Sequence, residues 1–462
     1  MAILSYILTI MKANIIRSMQ ERLVLSTFRR AAKQVPFYKK YLENAKIDYR
    51  RVRNISDFKS VVPILDKNKL FTPQSRVDVA DYCLGGDLKK CRMILPSSGF
   101  SGKFSFGLVS KAEQKRQEKV LNFMLKRFFN VGREHTLLVN TLSMGISVPA
   151  TNVISVNTGL RSDVALSIMK AFSKEFDQII LMGENAFIKS LIERGSEEGF
   201  AWRDHKIQII FGGESFPESF RAYLENIVLP PGSGRKTQYV GSSFGFAEVG
   251  LNVLWETPQT ILLRKQAYSN PEIKRALMDR DMEVCPMFFQ CHPMNVYIEE
   301  IDERLVFTNL NPHAWLPIIR YATGDKGKIL DYPKLLDVIT RFNITECLPQ
   351  YKMPIIAVRN RDTHLNIRGK EVYADMVKKA IYESPDVPRF LTGYFRMSVV
   401  HNKLKLEVQI KKGASMPAAV EEALRANLSR ILGVEYELVL YKYNEFPYAM
   451  ELDYERKFKY YV

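Results

Sequence analysis

The stretch IIFGGESFPE, Ile209 to Glu218, runs from an apolar, β-branched segment into two glycines and a glutamate, then into a proline suited to the first turn of a helix. That is one unit of a wound α/β sheet: a strand, a turn at its carboxyl end, and a helix leading back. Working outward, the same order recurs. Helix Lys111 to Phe129 precedes strand Thr136 to Val139 and helix Asp163 to Phe172, and strand Gln178 to Met182 precedes helix Ala186 to Arg194. Strand Ile207 to Phe211 leads to helix Pro217 to Val228 and strand Lys236 to Val240. The alternation predicts a doubly wound parallel sheet, whose ligands bind outside the carboxyl ends of its strands. Two of those ends carry glycine-rich turns, GGE (Gly212 to Glu214) and GSSFGFAE (Gly241 to Glu248).

At 462 residues the chain exceeds one compact core, so two or three domains are expected. With 46% apolar and 25% charged residues it is an ordinary globular sequence rather than a disordered one. A net charge of +17 asks for an anionic partner: a nucleotide, coenzyme A, an acidic carrier protein or an anionic membrane surface. Nucleic acid is disfavoured, since no basic run is interleaved with stacking aromatics. Five scattered cysteines, Cys83, Cys91, Cys285, Cys291 and Cys347, suit a reducing cytoplasm rather than a disulfide framework. Cys285, Cys291 and His292 fit no standard zinc spacing, and inert thiols are the better reading of them.

The opening MAILSYILTIM is too short to span a bilayer and lacks the charged start and cleavage site of a signal peptide. Leu4, Leu8, Met11, Ile15, Met19 and Leu23 recur at helical spacing among Lys12, Arg17 and Arg22. A helix docked on the body is expected, and residues 1–23 are also compatible with peripheral membrane contact. From Asn270 the pattern becomes β-rich, with a hairpin turning at Asp302-Glu303 and a strand, Thr-Gly-Asp turn and strand through LPIIRYATGDKGKI (Leu316 to Ile329). Helix Ala374 to Tyr382, strands Tyr394 to His401 and Lys403 to Lys411, helix Ala418 to Ile431 and strand Tyr436 to Tyr443 then make a small α+β domain.

LPSSGFSGKFSFG, Leu95 to Gly107, follows a short apolar strand from Cys91 to Leu95. It is not a Walker loop, because two residues rather than four separate Gly99 from the Gly102-Lys103 pair and no hydroxyl follows the lysine. In this order, SSGFSGK (Ser97 to Lys103), GGE, FGFAE (Phe244 to Glu248), RYATGD (Arg320 to Asp325) and IRG (Ile367 to Gly369) resemble the adenylate-forming superfamily of acyl-CoA synthetases, luciferases and nonribosomal adenylation domains. VPFYKKYL (Val35 to Leu42) and VPILDKNKL (Val62 to Leu70) resemble the opening of its phenylacetate–CoA ligase branch, and the likeness runs from about residue 20 to the end of the chain.

The resemblance implies a large adenylation domain over residues 1–361, with a helical lead-in over 1–60, and a small mobile lid over 362–462 hinged at Asp362. It implies ATP held by Ser97, Ser98, Gly99, Ser101, Gly102 and Lys103 through a nest of backbone N–H groups. It implies adenine against Gly212, Gly213, Glu214 and Phe244, further ATP or AMP contacts from Ser243, Gly245 and Arg361, ribose on Asp325, and Mg2+ on Glu248. Phe100, Phe104 and Ala247 depart from the family's pattern; Ser242 or Ser243 could take over the hydroxyl missing at Ala247, and Arg359 shares the hinge position with Arg361. Lys457, with Lys459 as the alternative, would bridge the carboxylate and the α-phosphate, and Arg368 opens the segment used in the second half-reaction.

The activity implied is ATP-dependent conversion of an aryl or fatty acid into an acyl-adenylate, with transfer to coenzyme A or a carrier-protein phosphopantetheine. Transfer to an amine or hydroxyl, and a non-catalytic nucleotide-binding descendant, stay open as alternatives. The partners expected are a small carboxylate, with an acyl carrier protein and a homodimer both compatible.

Overall fold

In the computed structural model, residues 13–71, 78–97, 105–143, 145–229, 239–359, 363–447 and 458–462 are described. Runs such as QIILMG and IQIIF are apolar on both faces, which fits strands covered by helices on either side of a sheet. Strands Gln178–Gly183, Ile207–Phe211 and Thr136–Asn140 are indeed buried at every position. They pair in parallel with one another, with Ile154–Asn157 at one edge and with Val240–Phe246 at the other side. Helix Lys111–Phe129 leads into Thr136–Asn140, and helices Ser162–Phe172, Asn185–Glu197 and Glu218–Val228 connect the later strands.

Beyond Val240–Phe246 the sheet changes character. Strand Gly250–Trp255 folds back antiparallel, and Met287–Cys291, Ile355–Arg359, Tyr321–Leu330, Arg304–Asn309 and Val296–Ile301 follow in space, all antiparallel. With Leu65–Asp66 beside Tyr321, twelve described strands form one sheet, half parallel and half antiparallel. The mixed α/β class is as expected, but three details differ. The edge strand Ile154–Asn157 has no apolar run, because three of its four residues face solvent. The stretch GSSFGF is strand rather than turn: Val240–Phe246 pairs through it with Gly250–Trp255. The Thr-Gly-Asp segment lies inside one continuous strand, Tyr321–Leu330, as a bulge. Between the pairs Val306–Ala322 and Arg304–Lys326 that strand holds two more residues than its partner.

The hairpin Cys91–Pro96/Phe106–Ser110 stands apart from the large sheet, and the Ser/Gly-rich segment connects its two strands. Its docking is set by Gly107, where a Cβ would come within 1.8 Å of the Ala247 carbonyl oxygen. Only glycine lets the hairpin approach the end of the sheet strand so closely. The following helix, Lys111–Phe129, starts in a capping box: the Glu113 N–H donates to Ser110 Oγ, and the Ser110 N–H donates to the Glu113 carboxylate.

The C-terminal region is a small α/β unit. A hairpin, Leu365–Ile367/Lys370–Val372, leads to helix Ala374–Glu383, and strands Leu391–Val400, Lys403–Ile410 and Tyr436–Tyr441 form its sheet, backed by helix Ala418–Leu432. The last residues return to this sheet, since Met397 N–H donates to the Tyr460 carbonyl at 2.7 Å and Val462 N–H to the Met397 carbonyl at 3.0 Å. The unit packs on the body through helices Asn185–Glu197 and Glu218–Val228. Tyr382 sits edge-on to Phe220 with ring centroids 4.9 Å apart, and the buried Lys189 ammonium donates to the Leu391 carbonyl at 2.8 Å.

Candidate active site

The carboxyl ends of the parallel strands open into a cleft of 1280 Å³, bounded on its far side by the C-terminal unit. Because a strand's last residues turn outward where the ladder ends, Glu184, Gly212 to Ser215 and Ser242 to Glu248 come to one rim. Gly213 has φ of +101°, a conformation that favours glycine, and leaves the rim without a side chain there. Ser143 Oγ donates to Glu184 Oε1 at 3.2 Å, bracing the next strand end.

The sequence-derived residues that line this cleft are Ser97, Gly212, Gly213, Glu214, Ser243, Phe244, Gly245, Glu248 and Asp325. Segments more than two hundred residues apart in the chain thus converge. Ser97 stands at the hairpin mouth, where its Oγ accepts the Ser105 N–H at 3.0 Å. Phe244 stacks obliquely on Phe307, and an exposed edge reaches the cleft. Glu248 is buried, and its Oε1 accepts the Tyr321 hydroxyl at 2.8 Å. Asp325 projects from the bulge, its N–H held by Thr323 Oγ1 at 3.3 Å.

Ser98, Gly99, Ser101, Gly102, Lys103, Arg361, Asp362 and Lys457 lie outside the described residues. Phe458, the residue after Lys457, lines the cleft, whereas Lys459 is exposed and does not. Arg368 also stands away from the cleft, in the turn of the small hairpin with its guanidinium 3.1 Å from Glu435. Arg359 lines the cleft and pairs with Glu303 at 2.7 Å.

Several cleft residues carried no motif. Lys378 donates to Glu214 Oε2 at 3.2 Å and lies 4.5 Å from the Tyr460 ring centroid. The Tyr460 hydroxyl donates to the same carboxylate oxygen at 3.1 Å, and Ser215 Oγ donates to Asp375 Oδ2 at 3.0 Å. The glycine turn of the body is therefore bonded to the C-terminal unit. Burial works against the Lys378 charge, but the carboxylates of Glu214 and Asp375 hold its ammonium above the ordinary lysine value. Burial, reinforced by Glu214, pushes the Tyr460 phenol well above its usual range. A lone lysine at a helical position defaults to the surface, so only the fold reveals these contacts.

A second hidden group lies beneath the rim. Arg221, fully buried, bonds Glu218 and Glu256, each at 2.8 Å, and Arg264 bonds Glu218 at 2.7 Å. Glu256 Oε2 accepts the Ser242 N–H at 2.9 Å, so this network holds the backbone that leads to Ser243 and Phe244. Although burial favours the neutral acid, the Arg221 and Arg264 guanidiniums hold Glu218 below the usual carboxylate range.

The zinc reading has no geometric support. Among the described residues no three His, Cys, Asp or Glu side chains come together as a metal site. Burial pushes the Cys285 thiol up to about 11 and the Cys291 thiol up to about 12, so both stay protonated. It pushes His292 down to about 4.

One part of the cleft is apolar, lined by Leu121, Met124, Leu125 and Phe128 of helix Lys111–Phe129 and by Met182, Ile210 and Trp255. The spacing that reads as a core face in the helix is here partly a chamber wall.

No family model and no curated protein sequence matches this chain. Solved structures do. A 2-hydroxyisobutyryl-CoA ligase in the postadenylation state, in complex with R3-HIB-AMP, matches with a TM-score of 0.70 at 15% identity, over 98% of this chain and 90% of that one. The same ligase in the thioesterification state, in complex with 2-HIB-AMP and CoA, matches at 0.55 with 16% identity over 98% and 90%. An open conformation of it with the same two ligands matches at 0.54 with 16% identity over 95% and 90%. At such identities the likeness establishes the fold alone, which is shared with the 2-hydroxyisobutyryl-CoA ligase. The TM-score is higher for the postadenylation complex, 0.70, than for the other two, 0.55 and 0.54.

Proposed function

We propose that this protein activates a carboxylic acid with ATP to an acyl-adenylate and passes the acyl group to a thiol, coenzyme A or a carrier-protein phosphopantetheine. The observation that carries the reading is the cleft itself. It joins a polar, glycine-lined rim bearing Phe244, Glu248 and Asp325 to an apolar part lined by Leu121, Met124, Leu125, Phe128, Met182 and Ile210. A nucleotide suits the first part and an apolar acyl group the second, so an aryl or fatty acid is the substrate class proposed. The acyl-AMP and CoA held by the similar ligase support the same chemistry. The phrases VPFYKKYL and VPILDKNKL support placement in the phenylacetate–CoA ligase-like branch.

A carboxylate and an α-phosphate repel each other, and fixed cationic and dipolar groups must offset that repulsion in the transition state. Lys457 is proposed for this role, with the ribose hydroxyls on Asp325 fixing the nucleotide. Glu248 fits Mg2+ as a single carboxylate ligand with one oxygen engaged by Tyr321, since this ion commonly leans on one carboxylate, water and substrate phosphates. Mg2+ bound there would neutralise phosphate charge.

The test is carboxylate-dependent exchange of labelled pyrophosphate into ATP, across a panel of aryl and fatty acids. Exchange is expected with apolar acids, and Lys457→Ala and Asp325→Ala should each lower it by roughly 100-fold. Tight ATP binding with no exchange for any acid would overturn the reading in favour of a nucleotide-binding protein without turnover.

A further inference from the structure

We propose that the N-terminal helical lobe is a docking surface for an anionic lipid bilayer. This does not depend on the adenylation reading. Helix Ala13–Gln34 is fastened to the body on one side, where Ile16, Val24, Phe28, Ala31 and Ala32 are buried. On its outer side Ile15, Met19, Arg22, Ser26, Arg29 and Lys33 are all exposed and follow one another at spacings of three and four, with the exposed Arg17 and Ser18 beside Ile15 and Met19. The stripe is graded. Its amino-terminal end is apolar, with Ile15 48% and Met19 41% exposed, and the rest is basic.

A further observation points to lipid: the positive charge is concentrated here. Residues 13–60 hold twelve lysines and arginines against four acidic residues, a net +8 within a chain of +17. Arg29 donates to the Val52 carbonyl at 3.0 Å, which sets the exposed Arg50, Arg51 and Arg53 beside the stripe. An acidic protein or a nucleic acid would satisfy the basic part but has no use for an apolar end leading into it. A bilayer with anionic headgroups takes both, the arginines at the headgroups and the apolar end at the acyl boundary.

The experiment is sedimentation of the full chain with vesicles of phosphatidylcholine alone and of phosphatidylcholine with phosphatidylserine. Binding is expected only with phosphatidylserine, and it should weaken as salt rises. The double variant Ile15→Glu/Met19→Glu should bind at least ~10-fold less, because two apolar contacts are replaced by charges that repel the headgroups. Arg22→Glu should weaken binding as well. Ile154→Glu, which alters a residue 54% exposed on the sheet edge, should bind like wild type. All four substituted positions are exposed, and unchanged thermal midpoints would confirm folded variants. Absence of vesicle binding, binding indifferent to phosphatidylserine, or equal loss with Ile154→Glu would each overturn the proposal. So would retention of wild-type binding by the double variant, or capture of an acidic carrier protein without any capture of vesicles.

Discussion

Two buried ionic clusters flank the rim of the cleft, and they are built to opposite ends. Arg221, Glu218, Glu256 and Arg264 lie wholly within the body, between helices Glu218–Val228 and Pro258–Ser269 and strand Val240–Phe246. Each charge has opposite-charge partners, and Arg264 also donates to the Phe216 carbonyl at 2.7 Å. Lys378, Glu214 and Tyr460, by contrast, join the body to the C-terminal unit. A cluster inside one body cannot separate without unfolding. A cluster between two units can be released by moving one of them, and its charges then return to water. The first cluster is a foundation and the second a fastening.

That contrast can be broken in order of size. Arg221→Met leaves Glu218 and Glu256 buried with one guanidinium between them, and should cost about 3–5 kcal/mol in urea denaturation. If the loss were under about 1 kcal/mol, the cluster would not be closed to water as its burial implies. Glu113, a buried carboxyl that contacts neither cluster, sharpens the comparison by titration. Burial pushes it up from 4.5 to about 7. Its folded value exceeds its unfolded one, so this group's contribution to stability is fully present below pH ~4.5 and falls by about 3 kcal/mol as pH rises from ~4.5 to ~7. Glu113→Gln should flatten that slope in a pH series of unfolding midpoints.

The fastening should be weaker. Lys378→Met should cost about 1–2 kcal/mol, because Glu214 can regain water once the units part. Limited proteolysis should show the C-terminal unit released more readily, while the midpoint of the body is little changed. A loss as large as that of Arg221→Met would erase the distinction.

Much of the body was legible in its sequence. Strands buried on both faces write themselves as apolar runs, and helix Lys111–Phe129 has the bounds its sequence predicts. What the sequence does not announce has a physical reason. Ile154–Asn157 lies at an exposed edge and lacks an apolar signature. GSSFGF and ATGD contain the glycines of turns, yet sit inside strands, the first paired with Gly250–Trp255 and the second bulging between two pairings with Arg304–Asn309. The convergence of Glu248 with Tyr321 followed motif order, whereas Lys378, Tyr460 and the Arg221 cluster left no local trace. Lysine, arginine and glutamate are surface residues by default, and only tertiary partners show which are not.

Gly107 carries a lesson for anyone mutating the Ser/Gly segment one position at a time. Its hydrogen atom faces the Ala247 carbonyl where a methyl group has no room. Replacement there would damage the protein as severely as loss of a chemically active side chain, though this position offers no functional group at all. In a table of tolerated substitutions, residue 107 would look like part of the chemistry, when what it records is the joint between two strands.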